Sequence, residues 1–258
     1  MVQQQEFVKY ETRGHTAIIT INRPERMNSL GALVTSGLNL SFERANNDHD
    51  VRVIVLTGAG DRAFCAGGDL KAMADSAAFG EAATQEVGRD ILGTFELTKP
   101  VVAAINGYCL GGGLGIAMRC DIRVASENAS FGLPEVKRGI HSPAWNLSNL
   151  IPASLAMEMA IIGDPLDAKR ALEVGLVSRV VPLGKALDEA LNVAQAISDN
   201  APIAVRVMMN EVRRIVHSRT DPLADMVRYG IKECSDSEDS KEGARAFAEK
   251  RKPDFAGN

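Results

Sequence analysis

No two cysteines in this sequence stand at Cys-x-x-Cys spacing, and none of Cys65, Cys109, Cys120 and Cys234 has the histidine neighbours that a zinc site requires. The four therefore read as small buried hydrophobes in a reducing compartment. Charge of one sign is equally scarce. The 29 Lys and Arg are interspersed with 33 Asp and Glu, for a net charge of −4, which excludes a partner such as nucleic acid that needs a basic face. The start of the chain, Met1-Val2-Gln3-Gln4-Gln5-Glu6-Phe7, has neither the basic nor the apolar region of a secretory signal, and no apolar run approaches membrane-spanning length. A soluble, cytoplasmic protein with no membrane partner is expected. Motifs of other enzyme classes are missing too. Gly111-x-Gly113 lacks the third glycine or alanine of a dinucleotide fingerprint, and neither a Gly-Lys-Ser/Thr phosphate loop nor a Gly-x-Ser-x-Gly elbow occurs.

What is present is a repeated plan of a short β-branched run closed by turn formers. The runs at 16–21, 51–57, 101–105 and 122–125 fit this plan, and helix-length segments follow at 30–45 and 81–96. Such alternation predicts an α/β architecture with buried strands. Beyond about residue 143 the strand signals fade, and helices are predicted at 144–162, 168–174, 185–198, 203–217, 222–233 and 239–250, with Asp167 and Gly175 punctuating the second as N-cap and C′ residues. At 258 residues there is ample chain for a full core, and the C-terminal part reads as a helical region.

Two glycine turns carry the chemistry. Gly111-Gly112-Gly113 lies between the strand 101–105 and a predicted helix at 114–119, and Gly67-Gly68 lies beyond the strand 51–57. A glycine turn that opens a helix leaves its first N–H groups unpaired and lets a substrate oxygen approach with no Cβ in the way. Two such turns can supply two donors to one oxyanion.

The joint pattern is Ala63-Phe64-Cys65-Ala66-Gly67-Gly68-Asp69-Leu70, then Lys99-Pro100 and its strand leading through Asn106-Gly107-Tyr108-Cys109-Leu110 to Gly111-Gly112-Gly113, then Phe131-Gly132-Leu133-Pro134-Glu135. In this order and spacing it resembles the crotonase superfamily, the enoyl-CoA hydratase/isomerase enzymes, over essentially the whole chain. The resemblance implies a crotonase-like spiral of ββα units over 1–195 and a C-terminal helical region over 196–258 that trimerises, as a homotrimer or dimer of trimers, and covers coenzyme A. It implies an acyl-CoA thioester as substrate, with no cofactor beyond the coenzyme A that the substrate carries.

By position, Gly68 and Gly112 match the family's oxyanion residues, and Glu135 matches a carboxylate that moves a proton at the substrate carbon chain. That work needs a carboxyl whose pKa an apolar pocket has shifted. Typical hydratases carry a second Glu in a Gly-Gly-Gly-x-Glu pattern, where this chain has Gly115. A single-carboxylate isomerase shuttle is therefore the favoured reaction. The alternatives are a hydratase with a substitute acid/base and a non-catalytic acyl-CoA binding protein. Candidate substitutes are His141, placed just before a predicted helix whose N-terminus should lower its pKa, and Tyr108, Glu81 and Glu86. His141 also reads as a plain loop residue or helix cap. For coenzyme A the resemblance implies Ala66, Asp69 and Leu70 at the adenine, Arg26 near the phosphates, and Phe247 and Lys250 offered by a neighbouring subunit. Arg251 and Lys252 equally read as charges complementing a helix C-terminus.

Overall fold

The computed structural model describes residues 7–69, 97–142, 144–217 and 232–255. Its centre is a six-stranded sheet in the order β1-β2-β3-β5-β7-β10, with β1 Val8–Arg13, β2 Thr16–Ile21, β3 Val53–Gly58, β5 Val101–Ile105, β7 Ile122–Ser126 and β10 Arg179–Val181. Only β1 runs antiparallel; from β2 to β10 every neighbour is parallel. Strands β3 and β5 are buried along their whole length, which is why they appear in the sequence as continuous apolar runs.

A second sheet orders β4 (Ala63–Cys65), β6 (Tyr108–Leu110), β8 (Ser130–Gly132) and β9 (Leu166–Asp167). Each turn of the chain thus lays one strand in the large sheet and the next in the small one: β3 then β4, β5 then β6, β7 then β8. In the first turn a single parallel bridge from Leu30 to Gly68 takes the place of the small-sheet strand. The result is the expected spiral of ββα units. Helices α1 (Ala32–Asn47) and α2 (Gly112–Arg119) close the first and third turns.

The large sheet has two apolar faces. Ile18, Val53, Val55, Val102, Ala104 and Val124 pack under Ala186, Ala190, Val193 and Ala194 of α5 (Ala186–Ser198), while Ile19, Ile54, Leu56, Ala103 and Ile105 face the spiral interior with Phe42, Phe64 and Phe131. Buried Arg123 fixes α2 by donating to Cys120 O and Leu176 O at 2.6 Å each, which satisfies a helix-end carbonyl. The remaining helices are α3 (Ala153–Ile162), α4 (Ala168–Glu173), α6 (Pro202–His217) and α7 (Glu238–Glu249). Arg213 docks α6 on the spiral through paired 2.7 Å bonds to Asp121.

Several sequence expectations need correction. Strand structure does not end near residue 143, since β9 and β10 follow it, and β1, β4, β6 and β8 had no counterpart in the reading. The predicted helix 144–162 is broken: a 310 turn covers Ala144–Asn149, and Pro152 begins α3 afresh. The predicted helix at 81–96 lies outside the described residues, as does nearly all of that at 222–233. Asp167 caps α4 by accepting from Arg170 N at 2.7 Å, and Gly175 follows it at φ +81°.

Candidate active site

The two glycine turns meet. Gly67, at φ +92°, lies so close to the second turn that a Cβ there would come within 3.0 Å of Leu110 O and 3.3 Å of Gly112 N. Any side chain at this position would force the turns apart. Gly111, at φ +54°, is the N-cap of α2 and donates its own N–H to Gly132 O at 2.8 Å. Gly112 is the first residue of α2, so its N–H has no acceptor within the helix. Among the main-chain bonds between described residues, neither Gly68 N–H nor Gly112 N–H is a donor. Gly68 is exposed and Gly112 half-buried, so both can be reached from outside.

Glu135 comes to this point from the third signature. Pro134 starts a 310 turn over Pro134–Arg138 that Gly139 ends in the left-handed region. Within it, the Glu135 carboxyl lies directly against Gly111, and a Cβ on Gly111 would overlap its Oε1. Oε2 is sealed from solvent with no hydrogen-bond partner among the described residues. Burial pushes the carboxyl up to about 7, opposed by its own backbone N–H and by the Arg138 guanidinium. A carboxyl poised there is able both to take and to give a proton near neutral pH.

His141 stands on the same loop, two positions beyond the Gly139 cap and next to Ile140, whose N–H donates to Glu135 O at 3.1 Å. Its pKa is lowered, as expected, but the cause is burial; the element that follows is a 310 turn, not an α-helix. Tyr108 opens β6 at the end away from Gly111, with 46% of its surface exposed. Glu81 and Glu86 lie outside the described residues, as does Leu70.

Arg26, Ala66 and Asp69 are brought together. Ala66 N–H donates to Met27 O at 3.0 Å, next to exposed Arg26 in the 310 turn Pro24–Arg26, and Asp69 N–H donates to Leu30 O at 2.8 Å. The Asp69 carboxylate is engaged by Arg23 at 2.9 Å. Phe247 and Lys250 are elsewhere within the chain. Phe247 on α7 stacks 5.4 Å from the Arg138 guanidinium, and Lys250 caps α7 in the left-handed region. Their contacts run to the Glu135 turn and to α7 itself.

Four residues of this site escaped the sequence reading: Arg23, Asn28, Leu30 and Arg138. Buried Asn28 accepts from Arg23 N at 2.9 Å and donates to Ala63 O at 2.7 Å and Ala59 O at 3.0 Å. A lone Asn in a turn carries no signal of such a role, because the groups it joins are about 35 residues away in sequence.

A spiral of ββα turns whose two glycine loops meet beside a buried carboxyl defines an enzyme of the crotonase class. Comparison with known proteins agrees. A sequence model of the family "Enoyl-CoA hydratase/isomerase" matches residues 11–258, and the chain belongs to that family. It is 40% identical to the (E)-benzylidenesuccinyl-CoA hydratase of Thauera aromatica, over 97% of this chain and 99% of that protein. With the short-chain-enoyl-CoA hydratase of Clostridium acetobutylicum it shares 36% identity over 94% of each. The crystal structure of a carnitinyl-CoA hydratase from Mycobacterium avium superimposes with a TM-score of 0.88 at 35% identity, covering 99% of this chain and 100% of that one.

Proposed function

We propose that this enzyme acts on an acyl-CoA thioester through an enolate held by the N–H groups of Gly68 and Gly112, with Glu135 moving the proton. The observation that carries this reading is the Glu135 carboxyl against Gly111, with its Oε2 buried and without a hydrogen-bond partner among the described residues. Preorganised N–H donors stabilise charge that develops on the thioester oxygen, by about 3 to 4 kcal/mol for each donor. The half-buried Gly115 stands where a second Glu would supply an acid partner. One carboxylate suffices for isomerising a 3-enoyl to a 2-enoyl thioester: Glu135 takes the proton from C2, the electron pair delocalises into a dienolate, and the same proton returns at C4.

Hydration is the second reading. It is favoured by the hydratase names of the relatives at 36 to 40% identity and by half-buried His141 on the Glu135 loop, which would replace the missing carboxylate. Arg26 and the 66–69 turn fit coenzyme A, and no cofactor beyond that group is needed. Assembly through the C-terminal helices is supported by exposed Ile203, Val207, Met208 and Val212 on α6.

The test is a side-by-side assay on a 2-enoyl-CoA and the matching 3-enoyl-CoA, with products resolved by mass. Conversion of the 3-enoyl substrate without gain of water supports the isomerase. Hydration of the 2-enoyl substrate transfers the function to the second reading. Binding without turnover of either leaves an acyl-CoA binding protein.

A further inference from the structure

We infer that Leu30 is a positioning residue whose side chain sets the separation of the two glycine turns, and with it the spacing of the Gly68 and Gly112 N–H groups. The inference rests on the reading of those two groups as the oxyanion donors.

Leu30 grips the first turn by its main chain. Its N–H donates to Gly67 O at 2.7 Å, its carbonyl accepts from Asp69 N at 2.8 Å, and it bridges Gly68 between them. It meets the second turn with its side chain. Leu30 Cδ1 lies 3.0 Å from the point where a Cβ on Gly112 would stand. One residue therefore reaches both turns, the second through a side chain that can be shortened without breaking a main-chain bond.

Leu30 is itself held. Asn28 ties its own turn to Ala59 and Ala63, Met27 O accepts from Ala66 N, and Arg23 spans from Ser29 O at 3.2 Å to the Asp69 carboxylate. A loop so braced cannot recoil when its side chain is pressed from the other side. On the opposite flank there is no room for a Cβ on Gly67, which would come within 3.0 Å of Leu110 O and 3.3 Å of Gly112 N. The gap between the donors is thus bounded by backbone on one side and by an isobutyl group on the other. Donors of an oxyanion must stand about 2.7 to 3.1 Å from the position the charged oxygen takes in the transition state, so a small displacement weakens that state more than the ground state.

The test uses Leu30→Ala and Leu30→Met in the full chain, read by steady-state kinetics and by the absorbance of a bound conjugated 2-enoyl-CoA, whose carbonyl is polarised by paired N–H donors. In Leu30→Ala we expect kcat to fall about 10- to 100-fold with KM held within about 3-fold, and the red shift of the bound thioester to shrink; Leu30→Met restores both. Leu30→Val is read in the same way should the alanine variant fail to fold. An unchanged red shift and kcat, or a loss confined to KM, overturns the inference and leaves Leu30 as a wall of the substrate pocket. Absence of any red shift in the parent protein overturns the oxyanion reading itself, and the inference with it.

Discussion

The Glu135 carboxyl occupies the space that a Cβ on Gly111 would need. The third signature of the sequence is thereby fitted to the second with no room for a methyl group. Gly111→Ala is predicted to displace the carboxyl and to strain a backbone at φ +54°, at a cost of about 1 to 3 kcal/mol in stability. Turnover of the preferred enoyl-CoA should fall by about 10²-fold. Denaturant midpoints and single-turnover rates check the two effects separately.

Burial of Glu135 makes the site a liability for folding. Its pKa is raised from 4.5 to about 7, so the folded protein resists ionising it while the unfolded chain does not. The stability this group contributes is fully present below the unfolded value and is lost as pH rises towards 7, by up to about 3 kcal/mol. Glu135→Gln is therefore predicted to match the parent near pH 4 and to exceed it above pH 7. Urea denaturation of both proteins at the two pH values measures the difference; equal stability above pH 7 contradicts a buried carboxyl.

The same group should govern catalysis. If ionised Glu135 takes the C2 proton, kcat/KM rises with pH through an inflection near 7 and then levels. Arg138 lowers this pKa, so Arg138→Gln moves the inflection upward. A profile flat from pH 5 to 9 would remove Glu135 from the proton-transfer step.

The thiols give a test of the core. Cys65, Cys109 and Cys120 are buried, and burial pushes Cys65 and Cys120 up to about 12; Cys234 is half-buried. A thiol reagent at pH 8 should modify only Cys234 in the folded protein and all four cysteines in denaturant. Fast reaction of a second thiol would show that β4, β6 or the C-terminal end of α2 opens, according to whether Cys65, Cys109 or Cys120 is labelled.

How much of this could be read beforehand follows from where the information lies. Strands β3 and β5 are buried on both faces, so their apolar runs are legible, and the Gly67-Gly68, Gly111-Gly112 and Glu135 signatures are local in sequence. Strands β4, β6 and β8 are three residues each, too short for a periodic signal, and β1 buries only Val8. Pro152 marks the break in the predicted helix 144–162, since its ring cannot continue a helix interior. Arg23, Asn28 and Leu30 were invisible because their meaning is long-range: a turn at 23–30 braces a loop at 59–69.

Gly115 offers the sharpest separation of the two reactions. It lies four residues after Gly111, on the same face of α2, and its N–H donates to Gly111 O at 2.9 Å. Glu is a better helix former than Gly by roughly 0.5 kcal/mol, so Gly115→Glu is not opposed by the backbone. The new carboxyl emerges one turn from the oxyanion donors, as the acid partner that hydration of a double bond requires. If the parent works with Glu135 alone, the variant should gain hydration of a 2-enoyl-CoA by about 10²-fold or more, and should carry the 2-enoyl product of its isomerisation on to the 3-hydroxyacyl thioester as water adds at C3 and a proton at C2. If His141 already serves as the partner, Gly115→Glu brings little, and His141→Asn abolishes hydration while leaving thioester binding intact. Product analysis of the two variants on both substrates decides which residue stands opposite Glu135.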